Sequence, residues 1–123
     1  MLKYIAIFIG GGLGSALRYG ISIWASQWWS ALGTLISNSL SSLILGISIG
    51  ILSVSTEEPK LIYLFIAVGF CGGFSTFSTF SNEAFHFIQS GQTNQALIHI
   101  FANMALSILA ILAGMQLTKL FLA

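Results

Sequence analysis

Residues 69–80 read Gly-Phe-Cys-Gly-Gly-Phe-Ser-Thr-Phe-Ser-Thr-Phe, and they interrupt an apolar stretch running from Leu61 to Ile88. A helix rises about 1.5 Å per residue, so about 20 apolar residues cross the ~30 Å hydrocarbon core of a bilayer. The paired glycines Gly72 and Gly73 cost a helix about 1 kcal/mol each and admit backbone angles that other residues avoid. Ser75 and Thr76 are good N-cap residues, able to accept the free N–H groups of a restarting helix. The run therefore predicts a helix ending near Gly72, a non-helical turn within 72–76, and a new helix beginning at about Thr76. Unwound backbone at membrane depth survives only where protein or a wet cavity covers it, and its carbonyls and helix ends suit ions.

Working outward, three further stretches are long and apolar enough to span: Tyr4 to Trp24, Leu32 to Val54 and Ala96 to Leu122. Apolar residues make up 56% of the 123 and charged residues 6%, against about 25% charge in soluble domains, so a soluble fold could not cover its surface. The expected fold is a single all-α membrane domain over 1–123, with helices at about 3–25, 32–54, 60–89 and 95–122 and the third interrupted mid-membrane. Short connections carry polar or turn residues at Ser26 to Ser30, at Ser55 to Lys60 around Pro59, and at Ser90 to Asn94. Lys3 before an apolar run imitates a signal peptide, but Arg18 lies within the run and no small-residue cleavage site follows, which predicts a permanent helix.

The composition also excludes several classes of function. Cys71 is the single cysteine, so there is no internal disulfide and no thiolate cluster for a metal; it reads as a small packing residue. A net charge of +1 offers nothing to nucleic acid. No nucleophile–base pair is visible, and Gly10-Gly11-Gly12-Leu13-Gly14 lacks the lysine and hydroxyl residue of a phosphate loop, so no enzyme is expected. Four spans put Lys3, Lys60 and Lys119 on one side and Arg18 on the other, a thin bias toward cytoplasmic termini.

Lipid gives helices no hydrophobic reason to associate, so small residues at intervals of four mark close packing. Ala6, Gly10 and Gly14 form such a line on the first helix. On the second, Asn38, Ser42, Gly46 and Gly50 form one, with Gly33, Ser37 and Ser41 beside it. His99, Asn103 and Ser107 do so on the fourth, followed by Ala110 and Gly114. Asn38, His99 and Asn103 must face protein or water. These faces exceed what one small bundle is expected to bury, which points to a homodimer or a pair with a similar chain. Arg18 and Glu83 read as anchors near the membrane surface, and His86 as wet.

Phe77 and Phe80, three apart, share one face of the restarted helix, with Ser78 and Thr79 beside them. Such a pair ordinarily faces core or lipid. Here it follows an interruption, among hydroxyls, in a chain without a buried cation to hold an anion. Aromatic ring edges carry partial positive charge, and weak anion binding is what conduction needs.

The run 69–80 resembles the signature of the Fluc (CrcB) fluoride channels. Gly33-Thr34-Leu35-Ile36-Ser37-Asn38 is similar to that family's GTLxxN motif, and Arg18-Tyr19 and Glu83 also match. The resemblance covers the whole chain. It implies a passive fluoride channel in the cell membrane, built as an antiparallel, dual-topology dimer with two pores lined by both chains. It implies a central structural sodium ion held by the backbone carbonyls of Gly72 and Ser75. The pore residues it implies are Asn38, Phe77, Phe80 and Ser107, with Ser78 and Thr79 as a polar track and Arg18 in a vestibule. His99 and Asn103 depart from the family's pattern, where a tyrosine and a small hydroxyl residue are expected. A paired homologous subunit is the alternative to a homodimer.

A four-helix, proton-coupled multidrug exporter is a competing reading, but it needs a membrane-embedded carboxylate, and only Glu83 is available. A non-conducting assembly subunit leaves the ordered hydroxyls and phenylalanines unexplained.

Overall fold

The computed structural model describes residues 1–54 and 61–122 and contains four helical spans: Leu2–Ala25, Leu32–Ser53, Leu61–Gln89 and Thr93–Leu122. The connection around Pro59, with Lys60 as the expected start of the third helix, lies outside the described residues. All regular structure within them is helical. We number α1 (Leu2–Ala25), α2 (Leu32–Val54), α3 (61–74), α4 (Phe77–Gln89) and α5 (Thr93–Leu122). Four spans of this length and apolarity make a multi-pass membrane protein.

Two helix pairs organise the bundle: α1 lies against α3, and α2 against α5. Small residues allow both. A Cβ at Gly14 would run into the carbonyl oxygen of Phe70, and one at Gly73 into that of Gly11. On the other pair, Gly46 faces Ile111 and Gly114 faces Leu43, again with backbone where a side chain would stand. Gly14, Gly46 and Gly114 are therefore buried within the chain, while Ser42, Ser107 and Ala110 stay half-buried. Backbones in van der Waals contact are the main attraction available in lipid.

The third span has features that hydropathy does not signal. Residues Leu64–Phe70 form a π-helical stretch, closed by Cys71 N–H on the Ile66 carbonyl. Helical structure then continues through Cys71–Phe74, so Gly72 and Gly73 are helical, not turn, residues. Their expected role at the turn is corrected: Gly73 lacks a side chain because α1 backbone occupies the space. Extended backbone falls instead on Ser75 (φ −82, ψ 159) and Thr76 (φ −154, ψ 120), and α4 begins at Phe77.

Aromatic residues gather at one end. Trp24 and Trp28 meet edge to face at 4.6 Å between ring centroids, and Trp29 donates to Gln95 Oε1 at 3.1 Å. Trp29 also covers a small core of Ala31, Phe87 and Ala96. Nearby, Gln92 N–H closes on the Phe87 carbonyl at 2.8 Å, with Gly91 at φ 73, a left-handed helix terminus that favours glycine.

Candidate ion pathway

At the restart of α4, side chains take the place of the missing helical hydrogen bonds. Thr76 caps the helix, its Oγ1 accepting from Thr79 N–H at 3.2 Å. Thr76 N–H, which would close a helical turn on Gly72, donates to Asn38 Oδ1 at 2.8 Å. The two N–H groups that regular helix would direct at the Gly72 and Ser75 carbonyls are thus committed elsewhere. The neighbouring carbonyls are occupied. Cys71 O accepts from Ser41 Oγ (2.9 Å), Ser75 Oγ (2.8 Å) and Ser75 N–H (3.0 Å). Gly73 O accepts from Ser15 Oγ (3.3 Å) and Arg18 Nε (3.1 Å). Arg18 is therefore turned inward onto the third span, not outward to an interface.

Beside this segment lies an open pocket of about 400 Å³. Asn38 and Ser42 of α2, Ser75, Thr76, Phe77 and Phe80 of the third span, and Asn103, Met104, Ser107 and Ile108 of α5 line it. It contains hydroxyls, amides and ring edges and no lysine or arginine. Phe77 and Phe80 lie 5.6 Å apart at 41° between planes, and Phe77 is 80% exposed. Ser78 is exposed, and its Oγ lies 3.2 Å from Thr76 Oγ1; Thr79 Oγ1 accepts from Thr76 Oγ1 at 3.1 Å. Of the residues singled out in the sequence, Asn38, Phe77, Phe80 and Ser107 meet at the pocket, and Ser78 and Thr79 stand behind Thr76.

A polar stack runs from the pocket into the bundle. Asn38 Nδ2 donates to Asn103 Oδ1 at 2.9 Å, and Asn103 Nδ2 lies 3.1 Å from His99 Nδ1. His99 is fully buried, with Nε2 3.2 Å from Glu83 Oε2. Thr34 Oγ1 donates to Glu83 Oε1 at 2.9 Å. The rings of Trp29, Phe80 and Phe87 surround His99 at centroid distances of 5.8, 5.1 and 6.1 Å. Glu83 is thus half-buried and turned toward the bundle, and His99 and Asn103 pack within one chain. Sequence reasoning did not foresee this pairing, nor the part played by Thr34. The signal was available: Thr34 and Asn38, His99 and Asn103, and Phe80 and Glu83 are each one helical turn apart, which stacks residues of three helices in two layers.

A family model described as CrcB-like protein, Camphor Resistance (CrcB), matches residues 5–115. The chain is 40% identical over 114 residues to a Bacillus subtilis protein named fluoride-specific ion channel FluC 2, covering 93% of this chain and 86% of that one. It is 40% identical over 114 residues to the Pyrococcus furiosus fluoride-specific ion channel FluC, covering 92% and 93%. With the Nitrobacter winogradskyi protein of the same name it shares 36% identity over 121 residues, 94% of each.

Proposed function

The chain belongs to the CrcB family, and from that premise we propose that it is a fluoride-selective channel. Fluoride moves passively down its electrochemical gradient, out of a prokaryotic cell across the plasma membrane, and no reaction is catalysed. The observation that carries the reading is the convergence of Asn38, Phe77, Phe80 and Ser107 on one open pocket without a basic side chain. Amide and hydroxyl donors replace part of the ion's hydration, and positive ring edges attract it weakly enough for release.

The working unit in this proposal is an antiparallel dimer with two pores, each lined by both chains. Phe77 and Ser78, exposed on the single chain, supply the surface a partner would cover. A structural sodium ion fits the same scheme. The carbonyls of Gly72 and Ser75 are the ones whose helical N–H partners are diverted, to Asn38 and to Thr76, and a Cβ at Gly72 would meet no atom within 4 Å. Those carbonyls from two chains would hold the ion; bound there it would supply a fixed positive charge joining them.

The test is flux. Liposomes containing the protein should release fluoride rapidly and chloride far more slowly, and Phe80→Ile or Asn38→Asp should reduce fluoride release at least tenfold. Release that needs a proton gradient would favour an exporter, and equal release of both anions would remove selectivity from the proposal.

A further inference from the structure

The stack joining Asn38 to Glu83 can be read in one direction only. Thr76 N–H is a backbone donor and cannot be reversed, so the atom of Asn38 that faces it at 2.8 Å is the amide oxygen. Asn38 Nδ2 then meets Asn103, which must present its oxygen. That turns Asn103 Nδ2 toward His99 Nδ1, 3.1 Å away, and a ring nitrogen facing an amide donor must be bare. The ring proton of the neutral imidazole is therefore on Nε2, which lies 3.2 Å from Glu83 Oε2 without the geometry of a hydrogen bond, while Thr34 donates to the other carboxylate oxygen.

We propose that His99 and Asn103 are positioning residues for the ion pathway: His99, an Nε2–H tautomer packed beside Glu83, orients the Asn103 amide, which orients the amide of Asn38. The consequence is felt at the pocket. One Asn38 N–H is committed to Asn103 at 2.9 Å, while the contact from Nδ2 to the Thr76 carbonyl is 3.5 Å, at the limit of a hydrogen bond. That second N–H is the donor left for an anion. Reversal of Asn103 would set amide nitrogen against amide nitrogen and turn Asn38 away from this arrangement. The inference rests on the channel reading, and it assigns work to the two residues that depart from the family's pattern.

The experiment separates orientation from space filling. His86, exposed near the end of α4, is replaced by Gln, so that His99 is the only histidine. In ¹⁵N-histidine-labelled protein in lipid nanodiscs, one protonated nitrogen assigned to Nε2 and one bare nitrogen assigned to Nδ1 are expected. Fluoride release is then measured for two variants. His99→Asn places an amide oxygen where Nδ1 stands and should retain at least half the wild-type rate. His99→Phe fills the volume but removes the side-chain acceptor, leaving Asn103 Nδ2 only the weaker contact to the residue-99 carbonyl at 3.3 Å, and should lose at least tenfold.

A protonated Nδ1, or Phe conducting better than Asn at position 99, overturns the inference while leaving the channel reading intact. A parent protein that releases no fluoride removes the channel reading and the positioning role with it. Monodisperse elution of both variants guards against loss of fold, and the tautomer is read without altering any member of the stack.

Discussion

Adjacent glycines in the third span are expected to respond in opposite ways to one added methyl group. A Cβ on Gly73 would stand 2.9 Å from both the carbonyl carbon and the Cα of Gly11, whereas carbon atoms in good contact are about 3.5–4.0 Å apart. Helices α1 and α3 must then separate by a large fraction of an ångström. Overpacking of this kind costs about 1–3 kcal/mol. The same displacement loosens the bonds from Ser15 and Arg18 to the Gly73 carbonyl, which contribute about 1 and 1.5–3 kcal/mol when intact. Replacing a helical glycine by alanine returns about 1 kcal/mol. Gly73→Ala should therefore lose a net of about 2–5 kcal/mol.

Gly72→Ala is the internal control, because its Cβ has open space and the residue is helical, so the single chain should gain up to about 1 kcal/mol. Reversible unfolding in mixed micelles, followed by helical circular dichroism, reads both. Crosslinking in bilayers reads association, which Gly72→Ala should weaken if Gly72 faces a partner across a sodium site. Gly73→Ala unfolding at or above the wild-type midpoint would show that α1 does not rest on this glycine, and the packing account would fail.

Other perturbations have direct readouts. Thr76→Val removes the acceptor for Thr79 N–H and should destabilise by about 1 kcal/mol in the same unfolding assay, while Thr76→Ser retains wild-type stability; equal losses would dismiss the cap. Glu83→Ala leaves the buried Thr34 hydroxyl without its acceptor and should cost about 1–3 kcal/mol, with Glu83→Gln milder because its amide oxygen can accept; the reverse order would contradict the contact. Gly91→Ala forces a side chain into left-handed backbone and should cost about 1 kcal/mol, with Gly91→Asn between the two; an unchanged midpoint would refute the helix-terminus assignment.

The coarse architecture was legible because lipid imposes a simple rule: hydropathy and length alone pointed to four helices apolar enough to span. Asn38, Phe77, Phe80 and Ser107, which the family resemblance implied as pore residues, line one pocket. Less visible was the partner of each polar group. Glu83 and Arg18 looked like surface anchors because a charge near a helix end usually is one. Their inward, half-buried placement depends on Thr34, His99 and the Gly73 carbonyl, contacts between helices that no single-helix periodicity reports. Gly72 and Gly73 misled for a related reason. A glycine pair is compatible with a turn and with tight helix packing; the position of α1 accounts for Gly73, while Gly72 meets no neighbouring atom within 4 Å.

The tryptophans at one end of the bundle have a consequence for how the molecule sits in its bilayer. Trp24, Trp28 and Trp29 all belong to the α1–α2 corner, and Lys3 and Lys119 lie toward the opposite end. Indole rings settle at the boundary between headgroups and acyl chains, so a lone chain grips one leaflet firmly and the other loosely. Two chains related by the antiparallel axis proposed above would set one indole cluster in each leaflet. Such a pair would be held at a fixed depth from both sides, with its immersion insensitive to which way either chain was first inserted.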